Sequence, residues 1–435
     1  MIVLKFGGTS VGSAENIKKA TTIVNSYSSS KIIVLSAVSG TTNTLTEVNK
    51  LLADSKKSNA IDLINALELN YHQLIKELFS SKKYQLEALL FIQTKFEELR
   101  LYTDASYQNE KIILAQGEII STHLFQIYQN ELGNTSLLIS ALDFMSIDIY
   151  KEANTKSIKN KLTSILSDNN HIKTFITQGY ICTNHKDEID NLKRGGSDYS
   201  ASLIGAAIEA KEIQIWTDID GIHNNDPRFV ENTFSINEMS FDEAAELAYF
   251  GAKILHPQSI IPAQKNNIPV LLKNTFNPND IGTIIKNCAP SSGVRAVAAK
   301  DKIIAIKIKS YRMLMAYGFL KKIFEVFEKY QTSIDMITTS EIAVSLTIDH
   351  PKYLDNITQE LKTFGKVEVD KQMSIVCLAG NFSQSGKGIS ASVINCLKNI
   401  PIRMISYGGS NYNMSLLIAS EDKVKALNLL NDGLF

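Results

Sequence analysis

Short apolar runs alternate with longer helical patterns through the first two-thirds of the chain. Six apolar runs are candidate strands: residues 2–6, 31–36, 137–140, 174–177, 213–217 and 270–273. Segments with apolar residues at helical spacing separate most of them, and the longest covers residues 43–101. This alternation predicts an α/β fold in which a mostly parallel sheet lies between helical layers. Ligands of such sheets bind beyond the carboxyl ends of the strands.

A different pattern begins after residues 276–295, where turn-forming residues mark a domain boundary. Beyond this boundary the sequence repeats, since residues 334–338 resemble 402–406 and residues 344–348 resemble 414–418. Each copy has the order strand, helix, strand, strand, helix, which predicts two ferredoxin-like βαββαβ units. Residues 294–299 are a further strand candidate that precedes the first copy.

The charge balance and the cysteine pattern narrow the class of protein. The 45 Lys+Arg residues equal the 45 Asp+Glu residues, which argues against a nucleic acid or an anionic membrane as the main partner. No apolar run reaches the roughly 20 residues of a membrane span, and the N-terminus lacks a signal-peptide pattern. The four cysteines are far apart and the seven histidines form no cluster, so we expect reduced thiols and no dedicated metal site. These features predict a cytoplasmic protein of two or three domains.

The first motif with chemical content is Lys5-Phe6-Gly7-Gly8-Thr9-Ser10, which follows the first predicted strand. A helix is predicted after it, from about residue 14 to 25. A strand, a glycine loop and a helix start together present backbone N–H groups and a positive helix end to an anion. The alternative is an ordinary tight turn with a surface lysine. The motif is not a Walker A loop, which requires a different spacing of glycine and lysine.

Two further motifs carry charged groups suited to a free amino acid. In Arg194-Gly195-Gly196-Ser197-Asp198-Tyr199, an arginine that can bind a carboxylate with two hydrogen bonds precedes a helix predicted over 198–210, with Ser197 as its cap. Gln116-Gly117-Glu118 is predicted to precede another helix. Taken alone, the first is compatible with a helix cap beside an exposed arginine, and the second with a carboxylate that compensates a helix dipole.

Together, these motifs resemble those of the amino-acid kinase family, and of aspartate kinases in particular, over essentially the whole chain. The C-terminal repeat resembles the tandem ACT domains of lysine-sensitive aspartate kinases. The resemblance implies an amino-acid kinase fold at residues 1–287, a first ACT domain at 301–372, and a second at 294–300 plus 373–435. It also implies transfer of the ATP γ-phosphate to the β-carboxylate of L-aspartate with Mg²⁺, as the first step of lysine, threonine and methionine synthesis. The further implied features are inhibition by L-lysine and a homodimer formed through the ACT domains, or a tetramer.

The same resemblance assigns roles to individual residues. The catalytic residues are Lys5, Asp198 and Lys253. The residues expected to bind aspartate are Ser36, Thr42, Glu118, Tyr180, Arg194 and Ser197. The residues expected to contact ATP are Lys5, Gly7, Gly8, Thr217, Asp218, His223, Arg228 and Lys253. The effector site is expected at Met313, Gly318, Phe319, Leu320, Ser333, Ile334, Asp335, Thr339, Ser340 and Glu341. No protein ligand is assigned to Mg²⁺, because ATP phosphates and waters can complete its octahedron.

Two alternatives remain at this point. The first is another kinase of the same fold that acts on glutamate, carbamate or UMP. The pairing of Arg194 with Glu118 and the ACT tandem argue against carbamate and UMP. The second is a non-catalytic amino-acid sensor that has kept the fold, and the presence of Lys5, Asp198 and Lys253 argues against it.

Overall fold

The computed structural model describes residues 1–104, 110–192, 195–249, 255–288, 293–313 (without the Arg312 side chain), 317–382 and 387–435. The chain forms two compact units. The N-terminal unit consists of Met1–Ile222, Asn237–Phe241 and Leu255–Asn287, and the C-terminal unit of His223–Ile236, Asp242–Ile254 and Cys288–Phe435. The helices, in chain order, are α1 (Ala14–Ser26), α2 (Thr41–Ala53), α3 (Lys57–Leu78), α4 (Lys82–Leu101), α5 (Glu110–Glu131), α6 (Ala141–Phe144), α7 (Thr155–Asp168), α8 (Gly196–Ala207), α9 (Phe241–Tyr249), α10 (Ile261–Lys265), α11 (Phe319–Lys329), α12 (Leu354–Leu361), α13 (Ile389–Cys396) and α14 (Lys423–Leu434).

The N-terminal unit is built on a mixed eight-stranded sheet. Its strands are β1 (Ile2–Phe6), β2 (Lys31–Leu35), β3 (Leu137–Leu138), β4 (Thr174–Gln178), β7 (Ile213–Thr217), β8 (Glu238–Ser240), β9 (Val270–Asn274) and β10 (Thr283–Lys286), while β5 (Ile181–Thr183) and β6 (Ile189–Asn191) form a separate hairpin. The sheet order is β3-β4-β2-β1-β7-β9-β10-β8, and the first six strands are parallel. All six strand candidates of this region are confirmed. The sequence pattern did not reveal β5, β6, β8 and β10, which are all short.

Burial of the central strands explains why the sheet forms where it does. Every residue of β1 and β2 is buried, as expected for strands covered on both faces. The Phe6 ring stacks on Trp216 of the neighbouring strand with a centroid distance of 6.0 Å. The helix after the first motif begins at Ala14, where the Ser13 side chain accepts a hydrogen bond from the Asn16 N–H. Because β1, β2 and β7 run parallel, the polar residues that follow them lie at one edge of the sheet.

The C-terminal unit contains a six-stranded antiparallel sheet. Its strands are β11 (Gly293–Lys309), β12 (Ile337–Thr339), β13 (Ala343–Ile348), β14 (Lys366–Asn381), β15 (Met404–Tyr407) and β16 (Asn413–Ala419), in the order β12-β13-β11-β14-β16-β15. The long strands β11 and β14 pass through both halves, so that Ala296–Ala299 pair with Val376–Ala379 while Ile304–Lys309 also pair with β13. Helices α11 and α12 pack on one half and α13 and α14 on the other. This arrangement confirms the ferredoxin-like repeat, whereas the residue bounds of the individual domains stay a prediction.

Candidate active site

The central pair of charged groups in the N-terminal unit is Lys5 with Asp198. Lys5 lies next to the carboxyl end of β1 and Asp198 lies in the first turn of α8. The Lys5 Nζ is 2.6 Å from the Asp198 Oδ1, and both side chains are largely buried. Gly7 lies so near that a Cβ placed on it would be 3.6 Å from the Lys5 Nζ. Both groups therefore stand at the sheet edge where ligands of this fold class bind.

The start of α8 differs from the sequence-based prediction. The helix begins at Gly196, and Gly195 occupies the N-cap in the left-handed conformation with φ of 72°. Ser197 is thus not the cap, and its hydroxyl instead lies 2.7 Å from the Ser36 hydroxyl. A Cβ on Gly179 would come within 2.4 Å of the Ser197 Cβ, so α8 packs directly on the loop after β4. Ser36 and Ser197 are brought together by this close approach.

Glu118 also lies in a different local structure from the one predicted. Gln116, Gly117 and Glu118 are inside α5 and do not precede a helix. Gly117 allows α5 to pack closely on Ala37, because a Cβ at this position would lie 2.8 Å from the Ala37 Cβ. The Glu118 Oε1 accepts a hydrogen bond of 3.2 Å from the Ala37 N–H, while the buried Oε2 has no hydrogen-bond partner among the described residues. Burial raises the pKa of Glu118 to about 8.

Tyr180 and Thr42 were also predicted to bind substrate. Tyr180 has a φ of 66° and is half-buried, and its N–H donates to the Ser200 hydroxyl. Burial and then the negative charge of Glu118 raise the pKa of Tyr180 to about 12, which keeps the phenol neutral. Thr42 lies in the first turn of α2 and is half-buried. Arg194 and Lys253 lie outside the described residues.

At the end of β7, the Thr217 hydroxyl donates to the Asp218 carboxylate at 3.0 Å. Ser10, to which the sequence pattern assigned no role, connects the first loop to this strand. Its hydroxyl donates to the Trp216 carbonyl at 3.2 Å and lies 2.7 Å from the Thr275 hydroxyl. The only sequence signal for this role was the place of Ser10 within the first motif.

In the C-terminal unit, the two other residues predicted to contact ATP lie on the segment His223–Ile236. The His223 Nδ1 is 3.0 Å from the Thr233 hydroxyl. The Arg228 guanidinium binds Asp226 with two atoms, Nε at 2.9 Å from Oδ1 and Nη2 at 2.6 Å from Oδ2. Burial alone would raise the pKa of Asp226, but the hydrogen bonds and charge of Arg228 outweigh it and lower that pKa. The Arg228 side chain is 69% exposed, and its guanidinium is paired with the Asp226 carboxylate.

The predicted effector residues lie around the start of α11 and the end of β12. Gly318 is the N-cap of α11 with φ of 77°, and Phe319 and Leu320 begin the helix. Met313 and Phe319 pack against the core of this half. Ser333 and Ile334 precede β12, and Thr339 is its last residue. Ser340 and Glu341 lie in the β12–β13 turn, where the Ser340 N–H donates to the Ala343 carbonyl.

Asp335 is the most constrained of the effector residues. Its side chain is only 1% exposed and its Oδ1 lies 2.9 Å from the Lys300 Nζ. The same oxygen accepts a hydrogen bond of 2.8 Å from the Tyr249 hydroxyl, while Oδ2 is buried without a hydrogen-bond partner among the described residues. Lys300 also pairs with Asp349 at 2.9 Å. The carboxylate expected to receive an effector ammonium is thus already held by the chain's own cation, which no sequence signal indicated.

Two absences hold for the residues that the structure describes. None of the helices in that part of the chain is long and apolar enough to cross a membrane. Among the same residues, no group of three or more His, Cys, Asp or Glu side chains could hold a metal ion.

Comparisons with known proteins agree with the geometry. Residues 1–274 match the model of the amino acid kinase family, and residues 376–434 match that of an ACT domain. Over its full length the chain is 33% identical to aspartokinase 2, chloroplastic, of Arabidopsis thaliana, and covers 84% of that protein. The structure of Escherichia coli aspartokinase III with lysine and aspartate in the T-state superposes with a TM-score of 0.84 at 30% identity, covering 100% of this chain and 99% of the other. The R-state structure of the same enzyme with aspartate and ADP gives a TM-score of 0.82 at 30% identity, with both chains fully covered.

Proposed function

The chain belongs to the aspartokinase family, and we propose that it transfers the γ-phosphoryl group of ATP to the β-carboxylate of L-aspartate, giving 4-phospho-L-aspartate and ADP. The observation that carries this proposal is the ion pair of Lys5 with Asp198 at the carboxyl edge of the parallel sheet. In this family member the product would supply lysine, threonine and methionine synthesis. The E. coli relative with bound aspartate and ADP supports the choice of substrates.

The reaction needs charge neutralisation more than it needs a base. The β-carboxylate of aspartate has a pKa of about 3.9 and is already ionised at pH 7, so it can attack phosphorus without losing a proton. The obstacle is repulsion between this carboxylate and the γ-phosphate. The Lys5 ammonium offsets the repulsion, and Asp198 holds Lys5 in place before substrate arrives. Lys253, which lies outside the described residues, remains the predicted second cation.

Recognition of a free amino acid requires one fixed anion and one fixed cation. Glu118 supplies the anion for the α-ammonium, since its Oε2 is buried and has no hydrogen-bond partner among the described residues. Arg194 is the predicted cation for the α-carboxylate. Ser36 and Ser197 present paired hydroxyls that can exchange their mutual hydrogen bond for bonds to substrate oxygens. Thr42 and Tyr180 are the remaining predicted walls of the aspartate pocket.

The nucleotide enters with its own metal ion. We expect Gly7, Gly8, Thr217, Asp218, His223 and Arg228 to contact ATP. Gly7 lies beside the Lys5 ammonium, since a Cβ built on it would be 3.6 Å from the Nζ, and a glycine loop next to a cation suits a phosphate. Mg²⁺ bound to the phosphates would neutralise part of their charge, with waters completing its coordination.

Regulation by L-lysine through the ACT domains is the second part of the proposal. The lysine complex of the E. coli relative supports it. Asp335 and Glu341 would receive ammonium groups, and inhibition requires that lysine bind a less active state more tightly. Exposed apolar side chains on and before α11, namely Tyr317, Leu320 and Phe324, support a homodimer formed through this half, and such dimers can pair into a tetramer. We expect the enzyme in the cytoplasm.

The direct test measures ADP release from MgATP with L-aspartate, while hydroxylamine traps the acyl phosphate as a hydroxamate. We expect aspartate-dependent hydroxamate that millimolar L-lysine suppresses, and no product with L-glutamate. Lys5→Met should lower the signal by about 10²- to 10³-fold in folded protein. Folded wild-type protein that makes no aspartyl hydroxamate would refute the kinase proposal. Activity that is indifferent to lysine would refute only the effector.

A further inference from the structure

Lys111 connects helix α5 to the β5–β6 hairpin within the N-terminal unit. Its Nζ donates to the Asn191 Oδ1 at 2.8 Å and lies 3.7 Å from the Asp190 Oδ1. Both acceptors belong to β6, and Asn191 lies 80 residues further along the chain than Lys111. The contact therefore holds together a helix and a hairpin that the chain itself does not join directly.

This contact is largely shielded from water. Asn191 is 5% exposed, and the side chains of Asp190 and Lys111 are 14% and 31% exposed. The Asn191 Nδ2 is buried without a hydrogen-bond partner among the described residues, so the bond from Lys111 serves the other end of the same amide. The Asp190 Oδ1 also accepts from the Asn191 N–H at 2.7 Å. Loss of the ammonium would leave buried polar groups short of a charged donor, which makes this contact costly to break.

The hairpin that Lys111 holds carries one predicted wall of the aspartate pocket. Tyr180 directly precedes β5, and its carbonyl accepts a hydrogen bond of 2.8 Å from the N–H of Leu192, which directly follows β6. Between them, Ile181 pairs with Asn191 in the hairpin ladder. A shift of Asn191 would therefore move Tyr180 as well.

Helix α5 carries the predicted anion of the same pocket. Glu118 follows Lys111 by seven residues, or two turns, so both lie on one face of α5 about 10 Å apart along its axis. Arg194, the predicted cation for the α-carboxylate, follows Asn191 by three residues in the chain. The contact between Lys111 and Asn191 thus joins the helix that bears the anion to the strand that leads to the cation.

We propose that Lys111 is a positioning residue for aspartate, which holds β6 against α5 and thereby sets the spacing between the groups that bind the α-ammonium and the α-carboxylate. This inference rests on the proposed function for the identity of the substrate. An α-amino acid carries its two charges at a short, fixed separation. A pocket whose anion and cation stand on different elements binds it well only when those elements are held in register. Lys111 touches no substrate in this account.

The experiment compares Lys111→Met with a matched control, Lys161→Met, whose side chain is exposed on α7. Calorimetry on the full-length protein measures aspartate and MgADP binding, and the hydroxamate assay gives the aspartate KM and kcat. We expect Lys111→Met to raise the aspartate Kd and KM about 10-fold, the fold-change equivalent of one hydrogen bond to a charged group. The MgADP Kd and kcat should stay within about twofold, and Lys161→Met should change none of these values.

Two further variants separate positioning from a general loss of structure. Lys111→Arg keeps a cation that can reach both acceptors, and it should restore the aspartate Kd to within about threefold of wild type. Asn191→Ala removes one acceptor, and adding Lys111→Met to it should cause little further loss, because the two side chains act through one contact. Independent losses in the double variant, or a folded Lys111→Met protein with normal aspartate affinity, would overturn the proposal.

Hydrogen exchange measures the attachment of the hairpin without any substrate. The amides of β5 and β6 should exchange about 10-fold faster in Lys111→Met than in wild type, and unchanged exchange would overturn the proposal. If Lys111→Met does not fold, Lys111→Gln keeps a donor without the charge and should give smaller changes of the same kind. Faster exchange in the variant, with a wild-type protein that makes no aspartyl hydroxamate, would refute the proposed function and support the attachment by Lys111.

Discussion

The buried carboxylate of Glu118 makes aspartate binding depend on pH in a calculable way. Its pKa is raised to about 8, so about one-tenth of the free protein carries the charge at pH 7 and one-half at pH 8. Only the ionised form can pair with the substrate ammonium, and the apparent Kd is the intrinsic Kd divided by that fraction. Aspartate affinity should therefore rise about fivefold from pH 7 to pH 8. At pH 7, binding should release about 0.9 proton for each aspartate.

Calorimetry in two buffers of different ionisation enthalpy measures both the affinity and the proton release. Glu118→Gln should abolish the release and the pH dependence in this window, and should weaken aspartate binding at pH 8 by about 10- to 150-fold, the cost of a hydrogen bond to a charged group. Glu131→Gln is the control, because Glu131 lies on the same helix but accepts from the Ser80 N–H at 2.9 Å. Equal affinity at pH 7 and pH 8 without proton release would refute the reasoning.

The same pKa shift makes a prediction about stability. A glutamate pKa raised from 4.5 by folding means that the folded state binds more protons than the unfolded state between pH 4.5 and about 8. Stability of the substrate-free protein therefore falls as the pH rises through this window because of Glu118. The difference in unfolding free energy between Glu118→Gln and wild type, measured by urea unfolding, should therefore favour the variant more at pH 8.5 than at pH 5. An unchanged difference between the two pH values would contradict the burial of an unpaired carboxylate.

Three further predictions concern single substitutions. Lys5→Met should lower kcat by about 10²- to 10³-fold with normal folding, because it removes the cation that neutralises the transferring phosphoryl group. Gly179→Ala should lower the free energy of unfolding by about 1–3 kcal/mol and reduce activity, whereas Gly409→Ala, where the added Cβ meets open space, should do neither. Lys300→Met should lower the L-lysine concentration for half inhibition by about fivefold, equivalent to ~1 kcal/mol, because Asp335 loses a competing ammonium.

Each of these substitutions has an outcome that counts against its reasoning. A folded Lys5→Met protein with normal kcat would remove Lys5 from catalysis. Equal stability of the two glycine variants would show that the loop at Gly179 tolerates a side chain. An unchanged or higher lysine requirement in Lys300→Met would mean that the effector does not compete for the Asp335 carboxylate. Lys321→Met, at an exposed pair on α11, is the control for charge removal.

The strands of the parallel sheet were predictable because their signal is local. A strand covered on both faces is mostly apolar, and the six mostly apolar runs correspond to the first six strands of the sheet, which are all parallel. The missed strands have three or four residues each, so their pattern is too brief to stand out from a loop. The ferredoxin-like repeat was predictable from the similarity of its two copies. The passage of β11 and β14 through both halves depends on pairing between residues distant in the chain.

For the site, the chain order placed Lys5, Ser36 and Thr217 near the ends of parallel strands, and strand direction alone brings such residues to one edge. Local helix rules were less reliable at Ser197 and Glu118. Ser197 is a favourable cap residue, but Gly195, in the left-handed conformation, is the N-cap of α8. The Ser197 hydroxyl instead forms a hydrogen bond with the Ser36 hydroxyl. Gly117 suggested a helix boundary, but it serves the close packing of α5 against Ala37.

The sequence by itself determined the fold class, the repeat and the residue types from which a site for an anion and an amino acid can be built, because these depend on local periodicity and motif spacing. Tertiary structure alone decided how those groups are partnered. It buried Glu118 beside the Ala37 N–H, and this burial raises the pKa of Glu118. It also paired Asp335 with Lys300. It also attached the segment of Arg228 to a helix about 200 residues further along the chain, through hydrogen bonds such as that between Asn224 and Asn431. Burial and long-range pairing arise only when distant segments pack, so no local pattern could reveal them.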